Sequence, residues 1–228
     1  MSLLWAAQGL AANYADPDYL AAVADARDPS PAKIDNHLTP IVAYNPNLVW
    51  EGAAGASRVK MAALTRNYYD AYQGQDYQLS FGELWVTVAP EMRQFFQGQA
   101  EAPGMRRLEQ LLGLPPDNGY TRIVEFWVNP DDLFRPSPDP EISDSVAELD
   151  FPQGSRTSVA DSYKSWFNQA KHDRFQTDKP YPWTQLGYTY DWGSKSHVGL
   201  SEFVIEQGST VGVSKIYAPD DYFQARPM

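Results

Sequence analysis

Prolines limit what this chain can fold into more than any other feature. Eighteen of its 228 residues are proline, and Pro130, Pro136, Pro138, Pro140 and Pro152 crowd into one stretch. Each proline fixes its own φ, removes a backbone donor and pushes the residue before it away from helix. From Arg135 to Pro152 no regular element of ordinary length fits, which predicts an extended surface loop. Asp-Pro and Ser-Pro steps likewise confine the Ala-rich segment Leu20–Ala26 to a short helix.

Between these breaks the pattern alternates in runs. Leu38–Tyr44, Leu48–Glu51 and Arg58–Arg66 read as strands, with Ala53-Ala54-Gly55-Ala56-Ser57 as a loop between the last two. Glu83–Val88 is a further strand, and Pro90 then opens a helix to Gln97 with Glu91 in its first turn. Gly104–Leu112 spaces Met105, Leu108, Leu111 and Leu112 for one buried face, stopped by Gly113 and Pro115-Pro116. Tyr120–Val128 reads as a strong strand and Asn129–Asp132 as a single helical turn. The clearest helix is Ser158–Lys171, with a capping-box-like Ser158 and Asp161 and a stripe of Val159, Tyr163, Trp166, Phe167 and Ala170. Leu186–Trp192, Leu200–Glu206 and Thr210–Tyr217 close the chain as strands, the last two joined at Gln207-Gly208-Ser209. Runs of strands and helices, instead of strict alternation, predict an α+β fold with a largely antiparallel sheet, two or three packed helices and the long Pro/Asp-rich loop. Residues 1–36 are expected as an N-terminal arm or peripheral helix and 37–228 as one domain.

Charge excludes one class of partner. The formal net charge is −11, and no Lys/Arg cluster offers the basic face that phosphate binding needs, which argues against nucleic acid and anionic lipid. The excess acid is local: residues 114–155 hold nine acids against two bases, and 1–56 hold six against two. No apolar run approaches the ~20 residues that span a bilayer. The absence of cysteine removes disulfides, thiolate nucleophiles and Cys-ligated metal together. Met1-Ser2-Leu3 resembles a vector-derived start. With a trimmed leader the natural protein would be extracytoplasmic, in the periplasm or beyond; with Met1 as the natural start it would be cytoplasmic.

Three groups of residues can be asked to carry chemistry. Asp139, Glu141 and Asp144, with Asp131, Asp132, Glu148 and Asp150 nearby, supply the carboxylates that a hard cation takes. The EF-hand spacing is absent, and a solvated loop with Asp and Ser turning around prolines explains them more simply, so no metal is assigned. Trp183, Tyr188, Tyr190 and Trp192 belong to the aromatic run YPWTQLGYTYDWG. In a regular strand Tyr188, Tyr190 and Trp192 share one face, either as core or as a platform for a sugar or other flat ligand. Glu125, Glu83 and Glu202, each beside aromatic strand residues, could form the carboxylate pair of a glycosidase-like hydrolase; as strand residues they are expected on the solvent face. His37, His172 and His197 show no metal spacing. The segment Gly199–Phe203 lacks the second glycine of a nucleophile elbow. Nothing implies a cofactor.

Glu125–Ile142 (EFWVNPDDLFRPSPDPEI), Tyr181–Gly193 and Gly199–Ile205 (GLSEFVI) together resemble an uncharacterised family of exported bacterial proteins with no assigned activity. The similarity runs from about residue 38 to the end. It implies a location outside the cytoplasm and supplies no catalytic residues. Relatives carry cysteines where this chain has Phe96 or Ser137, which implies a disulfide lost here. The expectation is a non-enzymatic extracytoplasmic binding module for a small ligand, glycan or protein, using the aromatic strand and its adjacent loops. A carboxylate-based hydrolase or a purely structural protein is the alternative.

Overall fold

Strand pairing organises the molecule, whose computed structural model describes residues 12–99, 102–153 and 159–224. The strands are β1 (Val59–Thr65), β2 (Asp76–Gln78), β3 (Leu84–Val88), β4 (Arg122–Val128), β5 (Leu133–Phe134), β6 (Tyr188–Tyr190), β7 (Val198–Ile205) and β8 (Thr210–Tyr217). They form one sheet in the order β2-β8-β4-β1-β3-β7-β5, with β6 added alongside β7. Every pairing is antiparallel. The helices are α1 (Pro17–Ala26), α2 (Ala89–Phe95), α3 (Met105–Leu111), α4 (Asp161–Phe175) and α5 (Pro219–Gln224). The fold is therefore α+β, as the runs of elements predict.

A short connection bends this sheet. Only Glu206–Ser209 separates β7 from β8 in sequence, yet β4, β1 and β3 lie between them in the sheet. In a flat sheet the two strands would be about 19 Å apart, at about 4.8 Å per step, and four fully extended residues span only about 14 Å. The sheet curls instead. Leu79 donates to Ser209 and accepts from Gly208, and Glu206 donates to Asp132, closing the curl from both sides. Inside it lie Met61, Ala63, Val86, Val88, Val124, Phe126, Phe203, Ile205, Val211 and Val213. The outer face is covered as well: α1 and α4 pack there with Trp183, Tyr190 and Trp192. Residues of α2, α3 and α5 pack there with Leu64, Ile123, Leu200 and Tyr217. All seven residues of β1 are buried in consequence.

Several elements depart from expectation for physical reasons. Leu38–Tyr44 and Leu48–Glu51 are not strands; Pro40 interrupts the first, Pro46 turns the chain before the second, and Trp50 alone makes a bridge, to Val59. Their apolar residues Leu38, Ile41 and Leu48 are buried all the same. The aromatic strand shrinks from Leu186–Trp192 to the three residues of β6. α4 starts at Asp161 with Ala160 at its N-cap and runs on to Phe175; the expected cap Ser158 lies outside the described residues. β2, β5 and α5 are too short to show a period.

The Pro/Asp-rich loop is built around one cation. The buried Arg135 side chain donates from Nε to the Glu141 carbonyl (3.1 Å) and from Nη2 to the Asp144 carbonyl (2.9 Å). Its Nη2 is also 3.8 Å from the Asp144 carboxylate, and its guanidinium lies 5.2 Å from the Phe203 ring centre. Gly187, at φ +72°, lies so close that a Cβ there would sit 2.6 Å from Arg135 Cδ. Of the three residues expected as cation ligands, Glu141 and Asp144 thus turn to a guanidinium, and Asp139 accepts from the Glu141 amide. Among the described residues no three such side chains are grouped as ligands of a metal ion.

The segment expected as a peripheral arm is part of this packing. Asp16 caps α1 by accepting from the amides of Asp18 and Tyr19, and Pro17 pre-sets its first turn. Tyr19 is fully buried, its ring edge-on to Trp192 at 5.9 Å and its hydroxyl donated to the Pro180 carbonyl at 3.0 Å. A Tyr19→Ala variant is expected to lose about 3–5 kcal/mol of stability, as other buried aromatic truncations do. Urea denaturation measures it, and a loss below about 1 kcal/mol would mean that α1 is peripheral after all.

Candidate functional site

One row of cross-strand partners runs across the outer face of the sheet. Lys215 of β8 pairs with Glu125 of β4, Glu125 with Ala62 of β1, Ala62 with Thr87 of β3, and Thr87 with Glu202 of β7. Residues directly opposite one another share a face, so two small side chains, Ala62 and Thr87, lie between two glutamates. The helices and the 181–192 segment cannot settle onto that low stretch, and a cavity of about 270 Å³ remains above it.

Its walls come from distant parts of the chain. Trp85 stands beside Thr87, Met92 comes from α2, Leu112, Gly113 and Leu114 follow α3, and Arg174 comes from α4. Tyr120, Tyr181, Trp183 and Tyr190 add the remaining rings. Trp183 is edge-on to Trp85 at 5.8 Å and to Phe167 at 5.0 Å. The Arg174 guanidinium lies 4.9 Å from the Trp85 ring centre and 5.8 Å from that of Tyr181. These are cation–π distances.

Glu202 is the chemically distinctive group. It is half-buried and lines the cavity. Among the described residues nothing hydrogen-bonds to its carboxyl. Burial pushes it from the ordinary 4.5 up to about 8, with only the charge of Arg174 pulling the other way. Near neutral pH it is therefore mostly the uncharged acid, a hydrogen-bond donor. The neighbouring Thr87 hydroxyl and the Trp183 indole N–H are buried without partners among the described residues. The Arg174 guanidinium makes no hydrogen bond there either; its nearest anion is Glu83, at 3.7 Å.

The other expected residues are differently employed. Glu125 is buried between Lys60 (3.5 Å) and Arg93 (3.2 Å). Three strand spacings put its Cα about 14 Å from that of Glu202. Glu83 accepts from the indoles of Trp85 (3.1 Å) and Trp166 (2.7 Å). None of these glutamates has the open solvent face expected of it, because the curled sheet is covered on both sides. Tyr188, Tyr190 and Trp192 are all buried, and they do not share one environment. A register shift between Tyr188 and Tyr190 sends Tyr188 towards Leu38 and Leu186, its hydroxyl donating to the Lys33 carbonyl. Trp192 joins α1 and donates to the Leu114 carbonyl. Trp183 and Tyr190 do line the cavity.

Arg174, Trp85 and Thr87 are the site residues that the sequence reading passes over. Arg174 lies three residues beyond the expected end of its helix. The signal for the floor was present in β1: two adjacent alanines amid larger residues mark where a central strand leaves room. Searches of family models, curated proteins and solved structures found nothing that matches this chain.

Two measurements check the electrostatics. Between pH 4.5 and about 8 the folded protein keeps on Glu202 a proton that the unfolded chain releases. Stability from this group is therefore lost as pH rises through that window and is level above it. Glu202→Gln removes this group's share of the slope, while Glu91 and Glu109, also raised by burial, keep theirs. Its advantage over the parent is expected to grow by on the order of 4 kcal/mol between about pH 5 and pH 9; parallel stability–pH curves for variant and parent would show that Glu202 ionises normally. Thr87→Val, which deletes a buried hydroxyl without a partner and keeps the shape, is expected to raise stability by about 1 kcal/mol. A loss of that size in thermal or urea denaturation would reveal a partner for the hydroxyl.

Proposed function

We propose that this protein is a non-enzymatic binding module that takes one small ligand into the cavity over Ala62 and Thr87. The observation that carries this reading is the Glu202 carboxyl, which faces a walled space of about 270 Å³ without a partner among the described residues. A carboxyl that opens onto a cavity with no partner from the protein is free to bond a ligand there, where the apolar surroundings strengthen that bond. The volume lies just below the usual range for drug-sized ligands and suits a compact molecule. Five aromatic rings, Trp85, Tyr120, Tyr181, Trp183 and Tyr190, give it flat apolar contact. In this reading the aromatic segment serves through Trp183 and Tyr190, not as an exposed platform.

A glycosidase-like reading needs two carboxyls facing one substrate. Glu125 and Glu83 are both taken up by structural partners, so binding without chemistry is the better supported. A location outside the cytoplasm belongs to the same proposal and is supported by the family resemblance of Glu125–Ile142, Tyr181–Gly193 and Gly199–Ile205; fractionating cells that make the full-length gene product tests it.

A ligand-observed NMR screen of small aromatic and aliphatic compounds, followed through tryptophan fluorescence, tests the binding itself. Hits are expected to lose at least tenfold in affinity in a folded Ala62→Leu variant, which fills the floor of the cavity. Hits that bind that variant undiminished would place binding elsewhere. A screen without hits would leave a structural or interaction protein.

A further inference from the structure

Glu202 and Arg174, both in the cavity wall, have no hydrogen bond from their side chains within the protein among the described residues. Glu202, as the neutral acid, offers an O–H and a carbonyl oxygen; the Thr87 hydroxyl and the Trp183 indole N–H close by are shielded from the cavity. Arg174 offers N–H groups and a positive charge. Other hydroxyls of the wall are tied to the protein. The Thr189 hydroxyl donates to the Leu111 carbonyl and accepts from the Leu200 amide. The Tyr190 hydroxyl donates to Asp25. The Tyr181 and Tyr14 hydroxyls bond each other at 3.0 Å. Arg174 is the group that sets the ligand's polarity: a cation with only donors and no hydrogen bond among the described residues favours an acceptor that carries negative charge.

The rest of the wall is mostly apolar: Ala62, Leu64, Met92, Leu112, Leu114 and the rings. A cavity of about 150 Å³ is enough for benzene, so about 270 Å³ has room for a single ring or short branched chain carrying one carboxylate.

We propose, resting on the binding-module reading, that the ligand is a small monocarboxylate with a compact aromatic or aliphatic body, its carboxylate held between the Arg174 guanidinium and the acid proton of Glu202. An acid and a carboxylate sharing one proton make a short, charge-assisted hydrogen bond, while two carboxylates would repel. Binding therefore requires Glu202 to keep its proton.

Few other groups can give the same pH dependence. Facing the cavity are Arg174 from α4, Tyr120 from the turn before β4, and Tyr181 and Tyr190 from the aromatic segment. Burial raises all three phenols above their ordinary value. Glu83, at the head of β3, stands against Arg174. α2 presents Met92; its Glu91 is turned to Ser201 and Thr39, and its Arg93 to Glu125. His197 stacks on Tyr190 at 4.9 Å and is the histidine to control for.

Benzoate, benzyl alcohol and benzylamine share a ring and differ in charge, which makes them a direct test with the whole chain. Dissociation constants are measured by tryptophan fluorescence and calorimetry from about pH 6 to pH 10. Benzoate is expected to bind at least tenfold more tightly than benzyl alcohol at pH 6, and to weaken about tenfold per pH unit above Glu202's midpoint near 8. Glu202→Gln, which still donates, is expected to keep benzoate binding and lose the alkaline fall. Arg174→Gln is expected to weaken benzoate at least tenfold more than it weakens benzyl alcohol. His197→Gln is expected to leave the profile as it is. Benzyl alcohol binding as well as benzoate, or benzylamine binding better and tightening with rising pH, would overturn the carboxylate assignment and leave the cavity a binding site. If none of the three binds at millimolar concentration, the carboxylate assignment falls, and the binding-module reading stands or falls with the wider screen.

Discussion

Because Glu206–Ser209 must join two strands that the sheet keeps three strands apart, the sheet curls, and the curl determines what each face can be used for. The inner face becomes a closed apolar core from Met61 to Val213. The outer face is convex, and helices laid on a convex surface touch it well in some places and stand off it in others. Where Leu64, Ile123, Leu200 and Tyr217 project, α2, α3 and α5 close onto them. Where Ala62 and Thr87 lie between two glutamates, they cannot close, and the cavity follows.

Covering both faces also changes what a polar strand residue costs. On a sheet with one wet face, Glu125, Glu202 and Lys60 would be solvated and unremarked. Here Glu125 is buried between Lys60 and Arg93, and Asp191 is held by a bidentate contact with Arg107 at 2.6 and 2.8 Å. Such pairs roughly offset their own desolvation, so they are better read as conditions of burial than as sources of stability. Glu202 has no such partner, and its raised pKa is the other way a buried carboxyl can be accommodated.

Much of the fold was legible from local chemistry. Prolines and glycines bounded the elements, and the apolar periods of Arg58–Arg66, Tyr120–Val128 and Thr210–Tyr217 found their strands within a residue or two. Element order implied an antiparallel α+β arrangement, which pairing bears out. Leu38–Tyr44 misled because an apolar segment broken by proline can be buried without entering a sheet. Its hydrogen bonds go to the Pro/Asp-rich loop, through Leu38 to Ser145 and Ile41 to Ile142. The site was only half legible. Glu202, Trp183 and Tyr190 could be named from the sequence, but not that they meet, because their meeting depends on which strands are neighbours. Glu202 and Thr87 are opposite one another across a pairing of residues more than a hundred apart in the chain, and no local pattern encodes that. The bulge beside Tyr188 was equally hidden, and it is what separates rings that a regular strand would have aligned.

Tyr190 belongs at once to the cavity wall and to the packing of α1, with its hydroxyl donated to Asp25 and Asp25 held in turn by Lys33. Tyr181 is tied in the same direction through Tyr14. The opening segment of the chain is thus the outer buttress of the pocket. Cut back to the sheet and its later helices, the molecule would not be a trimmed version of itself but an open trough, with two of its aromatic walls unsupported and the Glu202 carboxyl returned to ordinary water.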